Sequence, residues 1–516
     1  MRINNYFVFL TLFLIVILCI LLGGKMIFNG DFFYLSDQGR DMLLTKNIVV
    51  DHKITLIGAH SGIDGFFHGP FWLYLLTIPF LIGGGNPFVF ELFYVFLTCI
   101  TIVLTYFLIS NLYDKKMSLL TAFFIATSPF IWSPLPNTIG VNLMPLDFLL
   151  IIFFLIKYLR GRKNLFPFFV FFTGFTFQIE AALALVATPI LIIYSLLVKK
   201  ITLKPLILGI IAFILSVSTF IIFDLKHQFL MSKALLAIFK FHKHGAKDTS
   251  YLTFIPRLLN HAVIYKDVLL SFLFEQNVFL IILATIMFLY FIYLTFRKNL
   301  NYKFKKEYTF YFFLPLAIFI IYQLYPYKLY QPYVYGLVIP SCLFFASVAY
   351  QLLKDKIGRN LVFCFILVEL IFISLFLIST YSKPYTTRNN SGSYLNQKNV
   401  INWIYKDSKG KNFSYFVYTP EIYTYGADYL FWYYSNLNHS KAPDNNKKQY
   451  LTYLIMYPPL SGDNNAHAFW KKHVIHTNSG PVKKIIFDGN ITLEKLHIST
   501  SEEPVDPNYY QNLIFR

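Results

Sequence analysis

Apolar residues fill the first three quarters of this chain in long blocks, broken by short polar and basic interruptions. A helix crosses the hydrocarbon core of a bilayer with about 20 apolar residues. Runs near that length lie at 6–23, 88–110, 117–132, 143–158, 165–181, 182–198, 205–223, 268–296, 308–325, 333–351 and 360–380, which predicts eleven spans. Only the polar Gln178 and Glu180 divide 165–181 from 182–198. The run Phe71–Ile82 is too short to cross and reads as a re-entrant or interfacial helix on the outer face. Beyond residue 381 apolar density falls, and Asn, Lys and Tyr rise. There Tyr415–Tyr418 and Tyr450–Tyr457 read as strands, Val400–Tyr405 and Ala466–Val474 as helices, and Lys484–Phe487 with Ile491–Leu496 as a final strand pair. The expected architecture is a mainly α, polytopic membrane helix bundle over 1–380. A small α/β or α+β domain follows over 381–516.

Charge orients this plan. With the N-terminus in the cytoplasm, the inner loops hold Lys115–Lys116, Arg160–Arg162–Lys163, Lys199–Lys200, Arg297–Lys298 with Lys303–Lys305–Lys306, and Lys354–Lys356–Arg359. Every inner loop is basic, as the positive-inside rule requires. The acids Asp31, Asp37, Asp41, Asp51, Asp64, Asp147 and Asp224 fall on the other side. The outer regions are then a first loop of 24–87, a second of 224–267 and the tail. The second loop carries Lys226, Lys233, Lys240, Lys243, Lys247 and Arg257. An integral protein of the cell membrane with an extracytoplasmic C-terminal domain is expected.

Composition narrows the class. Hydrophobic residues make up 56% of the 516 and charged residues only 14%, against about 25% charged in soluble domains. A disordered chain, a fibrous protein and almost any soluble enzyme are excluded. The net charge of +19 is spread among short runs, so nucleic-acid binding is not the reading. The four cysteines, Cys19, Cys99, Cys342 and Cys364, all lie in apolar runs and read as small buried hydrophobes, not as a disulfide framework or a metal site. Gly83-Gly84-Gly85 follows no strand and reads as a break between two helices. Sequons at Asn389, Asn412, Asn438 and Asn490 arise easily by chance in an Asn-rich tail.

Candidate chemistry gathers in the first outer loop, at Asp31-Phe32-Phe33-Tyr34-Leu35-Ser36-Asp37-Gln38-Gly39-Arg40-Asp41. A carboxylate at the membrane surface suits a general base acting on a hydroxyl or amine. The same charges also suit a solvated loop turned by Gly39. His68 before Gly69-Pro70, and Gln178 with Glu180 near the outer end of a span, are further candidates. For each the bland reading is a capping or interfacial position. Arg40, Lys226, Arg257 and Lys328 are the cations placed to meet a phosphate. Lys328, beside Tyr327 in the turn Tyr325–Tyr330, equally fits a headgroup anchor among tyrosines, and Arg40 equally pairs with Asp37 or Asp41.

The stretch Ser36-Asp37-Gln38-Gly39-Arg40-Asp41, then Leu56-Ile57-Gly58, then Gly65-Phe66-Phe67-His68-Gly69-Pro70 with Trp72 and Tyr74, resembles the first outer loop of GT-C membrane glycosyltransferases. The nearest branch is the prokaryotic one related to protein O-mannosyltransferases and the aminoarabinose transferase of lipid A. Asn86-Pro87, Ser128-Pro129, Trp132 to Pro145, Phe177-Gln178 and Tyr325–Pro332 match more loosely. The resemblance covers roughly residues 1–380 and implies a GT-C bundle. It also implies transfer of a sugar from a polyprenyl-phosphate donor to a lipid, glycan or protein acceptor outside the cytoplasm, with inversion. Asp37 matches the family's first-loop acid and would be the catalytic base. Gln38, Arg40, Asp41, His68, Gln178, Glu180, Arg257, Tyr327 and Lys328 would contact substrate or donor. Relatives often carry a second acid where Gln38 stands, so no metal is assigned, and Asp147 is not taken as a ligand. The runner-up functions are a lipid-linked glycan polymerase or ligase, whose functional loop tends to come later in the chain, and a lipid or glycan transporter. No internal repeat supports the latter.

Overall fold

The computed structural model describes residues 5–61, 65–239, 252–297, 306–420, 423–438, 440, 442–460, 463, 465–499 and 502–509. It is mostly helical, 69%, with a small sheet near the C-terminus. Asp64, Lys240, Lys243, Lys247, Lys298, Lys303 and Lys305 lie outside the described residues.

A helix stands over each of the predicted apolar runs, but their lengths differ. Among the described residues seven are long and apolar enough to cross a membrane: Asn5–Gly23, Pro87–Leu112, Gly140–Leu159, Ala181–Val198, Val278–Phe296, Gln331–Leu352 and Lys356–Ser382. Leu203–Ser216 and Ser218–Lys226 make an eighth if the pair, bent by 59°, counts as one span. Lys115–Thr127, Phe166–Ile179 and Lys306–Tyr322 complete the set of eleven places as shorter helices. Local chemistry sets the ends. Asn86, Asp114 and Asp355 each accept a backbone N–H of the first turn that follows. Gly84 and Gly85, both at positive φ, end the helix Phe71–Gly83. At 13 residues that helix is too short to cross. Glu180 takes an extended backbone and caps Ala181–Val198, which is the break the sequence left faint.

Three expectations are corrected. The first outer loop contains a 14-residue helix, Ser36–Val49, termed here the outer helix. The second is not an open loop: Leu230–Phe239 and Phe254–Leu269 are helices within it. Asp224 caps the first of these through the N–H groups of Met231 and Ser232. The run 268–296 is likewise cut: the spanning helix begins at Val278, after a turn in which Glu275 and Gln276 take positive φ. The cysteines are all free, but Cys364 is exposed and Cys99 only half-buried, because their helices turn those faces outward.

The tail forms a mixed four-stranded sheet of order β1-β2-β4-β3. β1 (Ser414–Tyr418) runs parallel to β2 (Leu451–Met456). β4 (Ile491–His497) is antiparallel to β2 and to β3 (Lys483–Phe487). Residues of β1 and β2 are buried on both faces, which continuous apolar strands require. Phe416, Leu454 and Trp470 fill one side. Tyr415, Val417 and Tyr453 join the core that continues into the bundle. Helix Tyr425–Leu437 was not foreseen, and it seats the tail. Gly39 of the outer helix meets it so closely that a Cβ there would lie 2.4 Å from the Gly426 Cα. Gly39 is thus a contact glycine within a helix and not a loop turn.

Candidate active site

The outer helix begins at Ser36, and its i, i+3, i+4 spacing brings Asp37, Arg40 and Asp41 to one face. Gln38 Oε1 accepts the Leu35 N–H at 3.0 Å, and its amide nitrogen bonds Asn137. Gln38 is buried by these contacts and starts the helix. Arg40 sits between two carboxylates. Its Nη1 reaches Asp37 Oδ1 at 2.6 Å, and its Nε and Nη2 reach Asp41 Oδ1 at 3.0 and 2.9 Å. The indole N–H of Trp72 donates to Asp41 Oδ2 at 2.9 Å. Asp41 is therefore buried and fully engaged, whereas the Asp37 side chain stays 58% exposed. Burial raises the Asp41 carboxyl above its usual range, against the pull of Arg40 and Trp72. Burial also opposes the Arg40 charge, but Asp41 and Asp37 outweigh it and hold the guanidinium above its ordinary value.

A strand-like pairing shapes the rest of the first loop. Gly58 N–H donates to His68 O at 2.7 Å, His68 N–H to Ala59 O at 2.9 Å, and Ser61 N–H to Phe66 O at 3.0 Å. Gly69 then lies against Gln178, where a Cβ would fall 2.0 Å from Oε1 and 2.6 Å from Cα. This contact brings His68 and Gln178 together. Gln178 donates to Ser216 O at 2.9 Å and to Thr219 Oγ1 at 3.0 Å, while its Oε1 has no partner among the described residues. His68 Nδ1 is likewise buried and unpartnered. Burial, then the Arg40 charge, pushes His68 down to about 4, so the ring is neutral at pH 7.

These groups share one cavity of about 540 Å³, within the range of small-ligand sites. Asp37, Arg40, Asp41, His68, Gln178 and Glu180 all line it. Much of the remaining lining is apolar and aromatic, with Leu185, Val186, Ile321, Tyr322 and Leu324. Tyr322, Tyr330 and Tyr333 were not foreseen as lining residues; the tyrosine-rich turn after 325 was their only signal in the sequence. Gln38, Arg257, Tyr327 and Lys328 are not on the wall. Lys328 is exposed on the turn whose Tyr325, Pro326 and Tyr330 are. The Tyr327 carbonyl bonds the His261 ring at 3.0 Å, and the Arg257 guanidinium lies 5.8 Å from the Phe254 ring. Among the described cavity residues Arg40 is the one Lys or Arg.

Three other buried acids of the bundle are not on this wall. Glu91, Asp147 and Glu369 each accept one threonine hydroxyl, from Thr138, Thr176 and Thr127 respectively. Among the described residues no three His, Cys, Asp or Glu side chains gather as a metal ion would need. Asp37 and Asp41 are joined through Arg40, and Gln38 is spent on Asn137. The residues present do not fit a resident divalent cation.

A family model described as dolichyl-phosphate-mannose-protein mannosyltransferase matches residues 67–223. That segment holds His68, Trp72, Gln178 and Glu180. The fold is similar to that of ArnT from Cupriavidus metallidurans bound to undecaprenyl phosphate, at 10% identity and TM-score 0.59, covering 97% of this chain and 100% of that one. The apo state of that protein is similar at 11% identity and TM-score 0.58, covering 97% of this chain and 99% of the other. No curated protein matches the sequence. The match over residues 67–223 and the likeness of fold both agree with the first-loop motif.

Proposed function

We propose that this protein moves a sugar from a polyprenyl-phosphate donor to an extracytoplasmic acceptor with inversion, and that Asp37 is the general base. The observation that carries this is the position of Asp37. Its carboxylate is half open at the wall of a cavity that is otherwise lined largely by apolar and aromatic side chains. An acceptor from water and a lipid-borne donor can meet there. The leaving group is a phosphate ester, so the protein must remove one proton and steady growing charge on phosphate. Arg40 orients Asp37 while Asp41 and Trp72 fix Arg40. A guanidinium held by two carboxylates has little charge left for the donor phosphate. The exposed Lys328, beside the cavity turn, and Arg257 are the cations this reading gives to that task. The ArnT structure with undecaprenyl phosphate supports a lipid-phosphate carrier here.

The test is Asp37→Asn in purified protein fed labelled polyprenyl-phosphate sugars. The amide keeps the shape and cannot take a proton at neutral pH. Transfer should fall roughly 10²–10⁴-fold with carrier binding intact. Asp41→Asn, whose single amide oxygen can accept from Trp72 or from Arg40 but not from both, should be milder. Near-normal turnover in Asp37→Asn, or greater loss in a well-folded Asp41→Asn, would remove Asp37 from the role.

A further inference from the structure

A second cavity, of about 720 Å³, lies in the tail. It opens beside the C-terminal end of helix Tyr394–Ser408. The N-terminal end of that helix holds Tyr394, whose N–H donates to Phe32 O in the first outer loop. Fifteen helical residues at 1.5 Å each put the cleft about 20 Å along the helix from that junction.

Its wall is unlike that of the first cavity. Asn402 comes from the helix, Asn412 from the connection into β1, Asn438 from the end of helix Tyr425–Leu437, and Gln449 from the approach to β2. Amides from four separate segments thus converge. None of these four side chains bonds another described residue. Lys406 and Lys411 add two cations. The one acid, Asp444, has its Oδ1 occupied by the N–H groups of Asn446 and Lys447, at 2.7 and 3.1 Å.

The frame is held in place independently of any ligand. Tyr405 OH donates to Phe431 O at 3.0 Å. Tyr415 N–H donates to Asp444 O at 3.0 Å, and Asp444 N–H to Phe413 O at 3.2 Å. Lys409 and Gly410, at φ of 48° and 77°, turn the chain sharply beneath the cleft. Each amide offers a donor and an acceptor side by side, the pattern that matches neighbouring sugar hydroxyls. The ammonium groups suit phosphate or carboxylate.

We infer that this cleft is a second, carbohydrate-binding site for an oligosaccharide bearing anionic groups. It goes beyond the transfer reaction, and its binding is measurable apart from it. The probe is an array of neutral and of uronate- or phosphate-bearing oligosaccharides, exposed to the full-length protein in detergent. Acidic members should be captured, and the capture should weaken with salt. Asn402→Ala with Gln449→Ala should weaken it about tenfold or more. Lys406→Ala with Lys411→Ala should remove the preference for acidic over neutral members. Both pairs should keep the unfolding midpoint of the parent, since three of the four side chains are exposed and Gln449 is half-buried. No capture across the array, or capture indifferent to both pairs, would overturn the site. Equal capture of neutral and acidic members would overturn its anionic preference. A sugar found by intact mass on Asn412 or Asn438, both sequons, would replace binding by modification.

Discussion

Asp37, Arg40, Asp41 and Trp72 form a chain of contacts in which only the first member meets solvent freely, and the proposed division into base and support rests on that asymmetry. The sequence singled out Asp37 through a resemblance alone, because the pairing itself is decided by helix phase and by Trp72, 31 positions further on. His68 shows the converse. Its neutrality follows from burial that no local pattern announces. An unfolded His68 titrates near the ordinary 6.5, while the folded ring is held to about 4. Between these values the unfolded chain binds the extra proton, so stability is lost as pH falls through that window. The unfolding midpoint should therefore drop from pH 7 to pH 4.5, and His68→Gln should flatten the drop. An unchanged slope in the variant would mean the ring is not held neutral. Lys328 belongs to a different test. If it meets the donor phosphate, Lys328→Ala should raise the donor KM or lower kcat by about tenfold or more, matching a charge-assisted contact of ~1.5–3 kcal/mol. Arg257→Ala is read in the same way, and unchanged kinetics in both would return them to headgroup anchoring.

At the scale of elements, the hydrophobic blocks announced the long helices because a membrane span is a composition signal spread over many residues. The tail strands were legible for a similar reason: β-branched and aromatic residues cluster at Tyr415–Tyr418 and Tyr450–Tyr457. What stayed hidden are elements stabilised by docking. The outer helix has a polar sequence and persists because Gly39 lies on Gly426 and because Tyr34 and Gln397 bond across the junction. Asp31 is the pivot of this docking. It is fully buried, and its Oδ1 accepts the N–H groups of Phe32 and Leu395 at 2.9 and 3.1 Å. Its Oδ2 accepts the Ser393 hydroxyl at 2.7 Å and the Tyr385 hydroxyl. The sequence read Asp31 only as an outer-side acid. Asp31→Ala should leave several donors unsatisfied at ~1–3 kcal/mol each. The expected result is a lower unfolding midpoint in detergent and faster proteolysis of the tail. A variant as protease-resistant as the parent would show that the aromatic stack of Phe32 on Tyr394, with centroids 4.8 Å apart, suffices alone.

For the whole molecule, the alternation of basic and acidic loops predicts one orientation, and the contacts made by the tail bear on it. The last long helix ends at Ser382, and the chain then returns to Asp31 and the outer helix. Phe80 stacks on Trp432, and the Tyr429 hydroxyl bonds the Gly85 carbonyl at 2.6 Å, so the tail also covers the end of helix Phe71–Gly83. Tail, outer helix and cavity must therefore lie on the same side of the bilayer. Arg160 follows the end of the helix Gly140–Leu159, whose start lines the cavity, and Lys356 opens the helix that ends at Ser382 before the tail, so both clusters lie a helix length from the site. Arg160 pairs there with Glu307 at 2.7 Å. By the positive-inside rule these clusters are expected in the cytoplasm, and the site with the tail outside. Gly480 is exposed, with open space where a side chain would stand. A cysteine placed there, in a Cys364→Ser background that removes the one exposed native thiol, should react with an impermeant thiol reagent in intact cells. A cysteine at Arg162, on the basic side, should react only after lysis. The reverse pattern would invert the molecule and put Asp37 where no extracytoplasmic acceptor can reach it.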